Sequence, residues 1–434
     1  MHVLSRLFVA SVAVLLVAAT GPAEISFDSL LMNESLWSLD QPAFEKATQK
    51  LPFRWTSDQQ RDSARAARPG MTLLGLPLTE IIVRFEQNKL TRITANIYAR
   101  GDAGSLDEPK FTALVASARD TLSKSTGVKA AERGKDPTSA VKAEGVTWQT
   151  AKSLYLLEYS FTKEVKSRNI PFRAEFVRLD ISPPQKNVGL LASVANATHA
   201  KFVGATHIKR DTANGDVWLG DVPMVDQGQK GYCVVASTER VMRYYGSDVD
   251  ANELAQVANS SASGGTSLGS MRDAMKKLTA RLKIRTRELE KTDMKDIMDL
   301  VKDYNRAAKR NGANPLPDPR EVMDLGEIYG AMNGEVLKEV RTHNKASLNR
   351  FQRDVQTHID QGVPLLWSVE LGLIEEPAIP QAHGGHMRLI IGYNTKTQEI
   401  LYSDSWGAGH ELKRMKADDA WTVTTALMSI EPIG

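Results

Sequence analysis

The chain carries a single cysteine, Cys233, among 434 residues, so no internal disulfide can stabilise it. Each domain must therefore be held together by a hydrophobic core, and this length allows two or three domains that each bury one. Hydrophobic residues make up 42% and charged residues 25% of the chain, which is typical of a globular protein. The net charge is only +3, and the lysines and arginines are spread out, so we expect no nucleic-acid partner.

Residues 1–23 have the pattern of a secretory signal peptide. A short positive start precedes the apolar run Leu7–Ala19, and small residues allow cleavage after Ala19 or after Ala23. The run is too short to span a bilayer, although an uncleaved membrane anchor is the alternative interpretation. We expect a secreted or periplasmic protein with no stable membrane insertion after signal removal. In such an oxidising compartment a free thiol is a liability unless it is buried or used, which makes Cys233 a candidate functional residue.

Residues 24–185 are predicted to form a small separate α+β domain. An alternating pattern over 79–97, broken by a polar turn, predicts a β-hairpin. The apolar spacing over 107–125, with a proline in the first turn and a glycine after the end, predicts a helix. Strand-like runs follow at Trp148–Tyr159 and Phe172–Ile181. The order strand–strand–helix–strand–strand is typical of an α+β domain.

A linker over 186–214 is expected to lead into a second domain over 215–434. In this domain Cys233 begins a predicted helix that Gly246 ends. A charged stretch at about 282–345 is predicted to be a helical insertion. Strands are predicted in the last part of the chain, at Val363–Leu371, Met387–Tyr393, Glu399–Ser403 and Trp421–Ile430.

The position of Cys233 at the first turn of a helix suits a nucleophile. The positive end of the helix dipole favours a thiolate, and the backbone N–H groups there can bind an oxyanion. Gly231 in the preceding loop allows a substrate carbonyl to approach the backbone. Gln227, six residues before the cysteine, offers a neutral side chain as the second oxyanion donor. The alternative is a buried helix cysteine with a turn before it.

His386 is the best candidate for the base that a cysteine nucleophile needs. It opens the apolar strand 387–393, where it can face a cleft while the strand stays in the core. Asp404, at the end of the next strand, can accept a hydrogen bond from the imidazole, and Trp406 can shield that bond from water. Each residue alone can be an ordinary surface residue, and His383, three residues earlier, competes with His386.

These segments resemble the papain-like cysteine peptidases. In that family a Gln-Gly pair precedes the cysteine by six residues, as Gln227-Gly228 does here, and the histidine strand ends in Gly-Tyr, as at Gly392-Tyr393. The family's third motif, Asn-Ser-Trp-Gly, is similar to residues 404–407, where Asp replaces Asn. The papain signature Cys-Gly-Ser-Cys-Trp is absent. Residues 230–234, the Asp at 404 and the helix end at 243–246 are more similar to the bacteriocin-leader (double-glycine) peptidase-like branch. The similarity covers about residues 215–434.

The resemblance implies a papain-like catalytic domain in which the helix that bears the cysteine packs on an antiparallel sheet. It also implies an exported cysteine peptidase that cleaves a peptide or protein substrate through a covalent acyl-enzyme. Cys233 would be the nucleophile, His386 the base, Asp404 its orienting partner and Gln227 the oxyanion donor. We assign Gly231, Gly385 and Trp406 to substrate binding.

Two further functions stay open from the sequence. The same fold can act as an amidase or acyltransferase, since the acyl-enzyme is common to both, or as a non-catalytic peptide-binding protein. The domain over 24–185 would serve either as a pro-region or as a recognition module. No histidine pair has metal-ligand spacing on a predicted helix, so we expect neither a metal nor another cofactor.

Overall fold

A computed structural model describes residues 24–133, 139–184, 202–228, 231–260, 266–291, 293–320, 325–377 and 379–433. The predicted signal peptide and residues 186–201 of the predicted linker lie outside these ranges. Within them the hydrophobic side chains form two cores, one from residues 27–181 and the other almost entirely from residues 217–430. The chain is therefore an α+β protein with a small N-terminal domain before a larger second domain. In the described part no helix is both long and apolar enough to cross a membrane.

The N-terminal domain is mostly a single antiparallel sheet. Its strands run in the order β2-β3-β6-β7-β11-β10-β9-β8, and a small sheet of order β1-β4-β5 lies beside it. The elements are β1 (Ile25–Ser26), α1 (Asp28–Met32), α2 (Gln41–Thr48), β2 (Arg54–Trp55), β3 (Ser63–Ala66), β4 (Met71–Leu73), β5 (Leu76–Pro77), β6 (Glu80–Glu86), β7 (Lys89–Ala99), α3 (Arg100–Ala103), α4 (Glu108–Thr126), β8 (Ala131–Glu132), β9 (Glu144–Gln149), β10 (Leu154–Thr162) and β11 (Arg173–Ser182).

The turn and cap residues explain why these elements begin and end where they do. Gln87 and Asn88, with φ of 48° and 61°, close the β6–β7 hairpin by two residues in the left-handed region, as a twisted hairpin requires. Asp107 caps α4 by accepting from the Lys110 N–H, and Gly127 ends it with φ of 64°. Both predictions are confirmed. The run predicted as one strand around 148–159 is instead two strands, β9 and β10, because residues 150–153 turn the chain back.

The second domain has a central antiparallel sheet with helices on it. The strand order is β12-β13-β16-β15-β19-β14, and β17 and β18 extend the sheet from β16. The elements are β12 (Ile208–Asp211), β13 (Asp216–Leu219), α5 (Cys233–Tyr244), α6 (Ala251–Val257), α7 (Leu268–Leu282), β14 (Ile284–Glu290), α8 (Met294–Asn311), α9 (Leu325–Gly330), α10 (Gly334–His343), α11 (Lys345–Ile359), β15 (Leu365–Leu371), β16 (Gly384–Asn394), β17 (Glu399–Ser403), β18 (Lys413–Lys416), α12 (Ala417–Val423) and β19 (Thr424–Pro432).

The helix that bears Cys233 packs on this sheet, as the fold class predicts. One turn along α5, the Ser237 hydroxyl donates to the Met387 carbonyl of β16 at 3.3 Å. Ten of the twelve residues of α5 are buried, which is typical of a helix in the centre of a domain.

Two of the predicted elements in this domain are wrong in part. Residues 284–290, predicted to lie in a helical insertion, form β14 and pair antiparallel with β19. The strand lies at the edge of the sheet, where charged side chains face solvent, so its charge pattern hid its strand character. The strand predicted from Trp421 begins at Thr424, because residues 417–423 form α12 and the ring of Trp421 packs on Phe351 of α11.

Candidate active site

Cys233 is the first residue of α5 and is partly buried. Tyr232 precedes the helix without a side-chain cap, and the Ala236 N–H makes a helical bond back to the Tyr232 carbonyl at 2.7 Å. The N–H groups of the first turn therefore have no intrahelical acceptor, which is the usual arrangement at a helix start. They are available to an oxyanion formed beside the cysteine.

The pKa of the Cys233 thiol is raised, whereas its place at a helix start predicts a lowered one. Burial raises the pKa of the thiol above its ordinary value, and this is the largest influence on it. Backbone hydrogen bonds from Met387, Val234 and Cys233 itself act in the opposite direction but do not outweigh it. The bond with Met387 also shows that the sulfur lies against β16, the strand that bears His386.

His386 is buried on β16 and bonds to Asp404. The His386 Nε2 and the Asp404 Oδ1 are 3.1 Å apart, and both side chains are fully buried. The His386 Nδ1 is also buried and has no hydrogen-bond partner among the described residues. Burial lowers the pKa of the imidazole, and the neighbouring Asp404 carboxylate only partly offsets this. A neutral ring that donates from Nε2 keeps its Nδ1 as the proton acceptor.

Asp404 is held by three cations. Its carboxylate accepts from Arg388 Nε at 2.9 Å and from Lys413 Nζ at 3.0 Å, and Arg240 donates to its carbonyl oxygen at 2.8 Å. Burial raises the pKa of the carboxyl, but the bonds from His386, Arg388 and Lys413 outweigh it and hold that pKa well below the ordinary value. The carboxylate is therefore ionised at neutral pH.

Trp406 stacks on the imidazole. The ring centroids of Trp406 and His386 are 4.1 Å apart, and the ring planes are 7° from parallel. Lys413 also lies over the indole of Trp406, with its Nζ 5.5 Å from the ring centroid. The stack keeps water from one face of the imidazole, which agrees with the shielding predicted from the sequence.

The competing histidine lies elsewhere. His383 is exposed, and its ring packs so closely on Gly372 that a side chain at that glycine would collide with it. Its carbonyl accepts from Gln381 at 2.9 Å. Among the described residues, His386 rather than His383 contacts Asp404.

The loop before the cysteine is tied to the segment that carries Asp404. The Gln227 N–H donates to the Ser405 carbonyl at 2.9 Å, and the Ser405 hydroxyl donates to Gln227 Oε1 at 2.6 Å. Because this bond engages the oxygen of the amide, the Nε2 group is the end that can donate to an oxyanion. The two segments, 178 residues apart, are thereby brought together.

The three residues assigned to substrate binding are all at least partly exposed. Gly231 and Gly385 are exposed, and apart from its chain neighbours no residue lies within 4 Å of the Cβ position at Gly385, so there is open space at that point of β16. Trp406 is partly exposed. Residues 229 and 230 lie outside the described part of the loop.

Comparison with known proteins finds a family for most of the second domain. Residues 219–427 match the Peptidase_C39 like family. This region is a Peptidase_C39-like domain. Among solved structures, the chain is similar to xylellain, a cysteine protease from Xylella fastidiosa, at 12% identity with a TM-score of 0.27, over 52% of this chain and 91% of that one. No curated protein matches the chain.

The Peptidase_C39-like domain also contains site residues that the sequence reasoning missed. Arg388 bonds Asp404 on one side and Glu376 at 2.8 Å on the other, and its guanidinium lies 4.6 Å from the centroid of the Tyr402 ring. A signal was present, because Arg388 is the charged residue of an otherwise apolar strand, two positions after His386. Side chains two apart share one face of a strand.

In the described residues of the Peptidase_C39-like domain, no group of three or more His, Cys, Asp or Glu side chains is placed so that it could hold a metal ion. The chemistry available to the domain is that of a thiol, a neutral imidazole and a fixed carboxylate. These groups can transfer an acyl group from an amide or ester through a covalent thioester.

Proposed function

We propose that this chain is an exported cysteine peptidase that acts through Cys233, His386, Asp404 and Gln227. The observation that carries the proposal is the bond between His386 Nε2 and Asp404, which leaves the buried Nδ1 as the basic nitrogen of the ring. The Peptidase_C39-like match supports the same class of chemistry.

In the proposed mechanism the resting pair is neutral, because the pKa of Cys233 is raised and that of His386 is lowered. As the sulfur attacks the peptide carbonyl, its proton passes to His386 Nδ1, and Asp404 stabilises the imidazolium that results. The oxyanion is bound by the Cys233 N–H and by the Gln227 Nε2. His386 then protonates the leaving amine.

Hydrolysis of the thioester completes the cycle. Water enters where the amine left, His386 Nδ1 takes a proton from it, and the hydroxide attacks the acyl carbon. The second tetrahedral intermediate expels the Cys233 sulfur, which recovers the proton from His386. The products are a carboxylic acid, an amine and the unchanged enzyme.

A peptide mixture tests this function and separates it from the alternatives. The mature protein is incubated with peptides from a digested proteome, and new termini are identified by mass spectrometry, with Cys233→Ala as the control. Cleavage that disappears in Cys233→Ala supports a peptidase. Cys233-dependent conversion of side-chain amides to acids, or coupling of added amines, would show an amidase or acyltransferase instead. Peptides that stay unchanged would favour a non-catalytic peptide-binding protein.

Export is a separate part of the proposal and rests on the sequence of residues 1–23. Expression of the full chain in a bacterium is expected to give a periplasmic protein whose first residue is Thr20 or Glu24. Recovery of a membrane-bound protein that still begins at Met1 would show an uncleaved anchor and contradict cleavage.

A further inference from the structure

The N-terminal domain contacts the loop that leads to Cys233 at both of its ends. At the first end, Arg65 Nη1 of β3 lies 3.3 Å from Asp226 Oδ2. At the second end, the Tyr232 hydroxyl packs against Gly101 of α3, where any side chain would collide with it. Tyr232 is the residue before the nucleophile, and Asp226 is the residue before Gln227.

The contact at Asp226 bears directly on the conformation of Gln227. Asp226 Oδ1 accepts from the Gly228 N–H at 2.8 Å and so fixes the turn that contains Gln227. Gly228 has φ of 66°, and a Cβ there would lie 2.6 Å from Arg65 Nη2. The guanidinium therefore lies against the turn itself as well as pairing with its carboxylate.

Arg65 is well placed to hold this turn rigidly. Its side chain is 14% exposed and is paired on its other side with Glu80 of β6, which also accepts from Asn96 at 2.9 Å. Burial acts to lower the pKa of Arg65, but the carboxylates of Glu80 and Asp226 outweigh it, so the pKa is raised and the guanidinium stays charged. A buried arginine with two fixed partners keeps one geometry, unlike an exposed one.

Contacts away from the loop hold the N-terminal domain on both sides of the site. On α5, Glu239 pairs with Arg84 at 3.3 Å. Beyond the Asp404 segment, Glu411 accepts from the Asp58 N–H at 2.9 Å. The domain is thus fixed to the helix of the nucleophile and to the segment that carries the orienting carboxylate.

From these contacts we propose that the N-terminal domain completes the oxyanion site and that Arg65 is its positioning residue. Arg65 holds Asp226, Asp226 holds the turn, and the turn sets the place of the Gln227 amide. The inference rests on the proposed acyl-transfer function. It also means that the domain is a permanent part of the enzyme rather than a pro-region removed on activation.

The test compares two reactions of Cys233. Acylation by p-nitrophenyl acetate passes through an oxyanion, whereas alkylation by iodoacetamide displaces iodide without forming one. Asp226→Asn removes the charge pair with Arg65 but keeps an acceptor for the Gly228 N–H. Arg65→Gln combined with Glu80→Gln removes the guanidinium without leaving Glu80 charged and unpaired.

Both variants are expected to acylate roughly tenfold more slowly, a fraction of the roughly 10²–10³-fold loss on removing an oxyanion donor. Their alkylation rates should equal that of the wild type, which shows that the thiol and the fold are intact. Arg92→Met is the matched control, because it removes an inter-domain pair with Asp248, 2.6 Å long, that does not touch the loop. It should leave both reactions unchanged.

The outcomes separate this inference from the function on which it rests. If the wild type acylates faster than His386→Ala, but Asp226→Asn and the Arg65 double variant acylate as fast as the wild type, Arg65 has no positioning role. An equal loss in Arg92→Met would also overturn it, because the effect would then belong to general docking. If the wild type acylates no faster than His386→Ala, the acyl-transfer function itself fails.

Discussion

Trp406 lies face to face on His386, with ring centroids 4.1 Å apart. The stack covers an imidazole whose pKa is lowered chiefly by burial, so the indole helps to keep that ring neutral. A base must be neutral to accept the thiol proton. The acid limb of the activity profile is therefore expected below the ordinary histidine value of 6.5.

Replacing Trp406 by Ala should move that acid limb to higher pH. Water then reaches the imidazole, burial penalises its charged form less, and its pKa rises toward the ordinary value. The measurement is the pH dependence of acylation by p-nitrophenyl acetate. Trp406→Phe keeps a stacked ring and should shift the limb less, whereas an unmoved limb in Trp406→Ala would show that the stack does not control the base.

Asp404→Asn should destabilise the protein as well as slow the acylation of Cys233. It leaves Arg388 buried with one of its two carboxylate partners gone, and breaking such a pair costs about 3–5 kcal/mol of unfolding free energy. The pKa of Asp404 is depressed from 3.8, so its contribution is fully present above that value and is lost only as the pH falls through the lowered one.

Urea unfolding of the wild type and Asp404→Asn at several pH values checks this expectation. The difference in unfolding free energy should stay constant from about pH 8 to about pH 5 and shrink only in stronger acid. A difference that already vanishes at pH 5 would mean that Arg388, Lys413 and His386 do not stabilise the charged carboxylate.

The free thiol should react as a buried, neutral thiol. Because burial raises its pKa, alkylation by iodoacetamide should increase with pH through a midpoint above the ordinary value of about 8.5. The rate at pH 6 should be low and similar in the wild type and in His386→Ala. A wild-type rate that has already reached its plateau near pH 6, and is lost in His386→Ala, would reveal a resting thiolate–imidazolium pair instead.

Arg178 should be the arginine on which the attachment of the N-terminal domain depends most. It bonds Glu158 within its own domain at 2.9 Å and reaches Asp250 and Glu253 of the second domain, with only 10% of its side chain exposed. Arg178→Met leaves these carboxylates without their shared partner. The unfolding free energy should fall by about 3–5 kcal/mol in urea titrations.

Arg119→Met is the matched control for that variant. Arg119 also pairs with a glutamate in the N-terminal domain, Glu132, but both side chains are exposed. Its loss should change the unfolding free energy by less than about 1 kcal/mol. Equal effects of the two variants would show that the buried ion pairs of Arg178 stabilise the fold no more than an exposed pair does.

Local signals in the sequence were enough to place much of the fold. The helix at Glu108–Thr126 and the hairpin closed by Gln87 and Asn88 follow from caps and turns that act within a few residues. The edge strand β14 did not follow, because its charged residues hide a pairing with β19 that lies about 140 residues further along the chain.

Part of the candidate site also follows from the sequence. The positions of His386, Asp404 and Trp406 relative to one another came from motif order, and the structure brings these three together. The alternation of side chains along β16 predicts that Arg388 shares a face with His386. No local pattern in the sequence predicts the role of Arg65, because its contact with Asp226 joins two domains and depends on how they pack.

The joint action of Cys233 and His386 in acyl transfer can be measured as the acylation of Cys233 by p-nitrophenyl acetate. Release of p-nitrophenol is followed in wild type, His386→Ala and Cys233→Ala, and the acetyl group is located by mass spectrometry. We expect one acetyl group on Cys233 of the wild type, a rate at least about 10²-fold lower in His386→Ala, and no adduct in Cys233→Ala. Equal acylation rates in the wild type and His386→Ala would show that the thiol reacts without a base, and the proposed role of His386 would then be wrong.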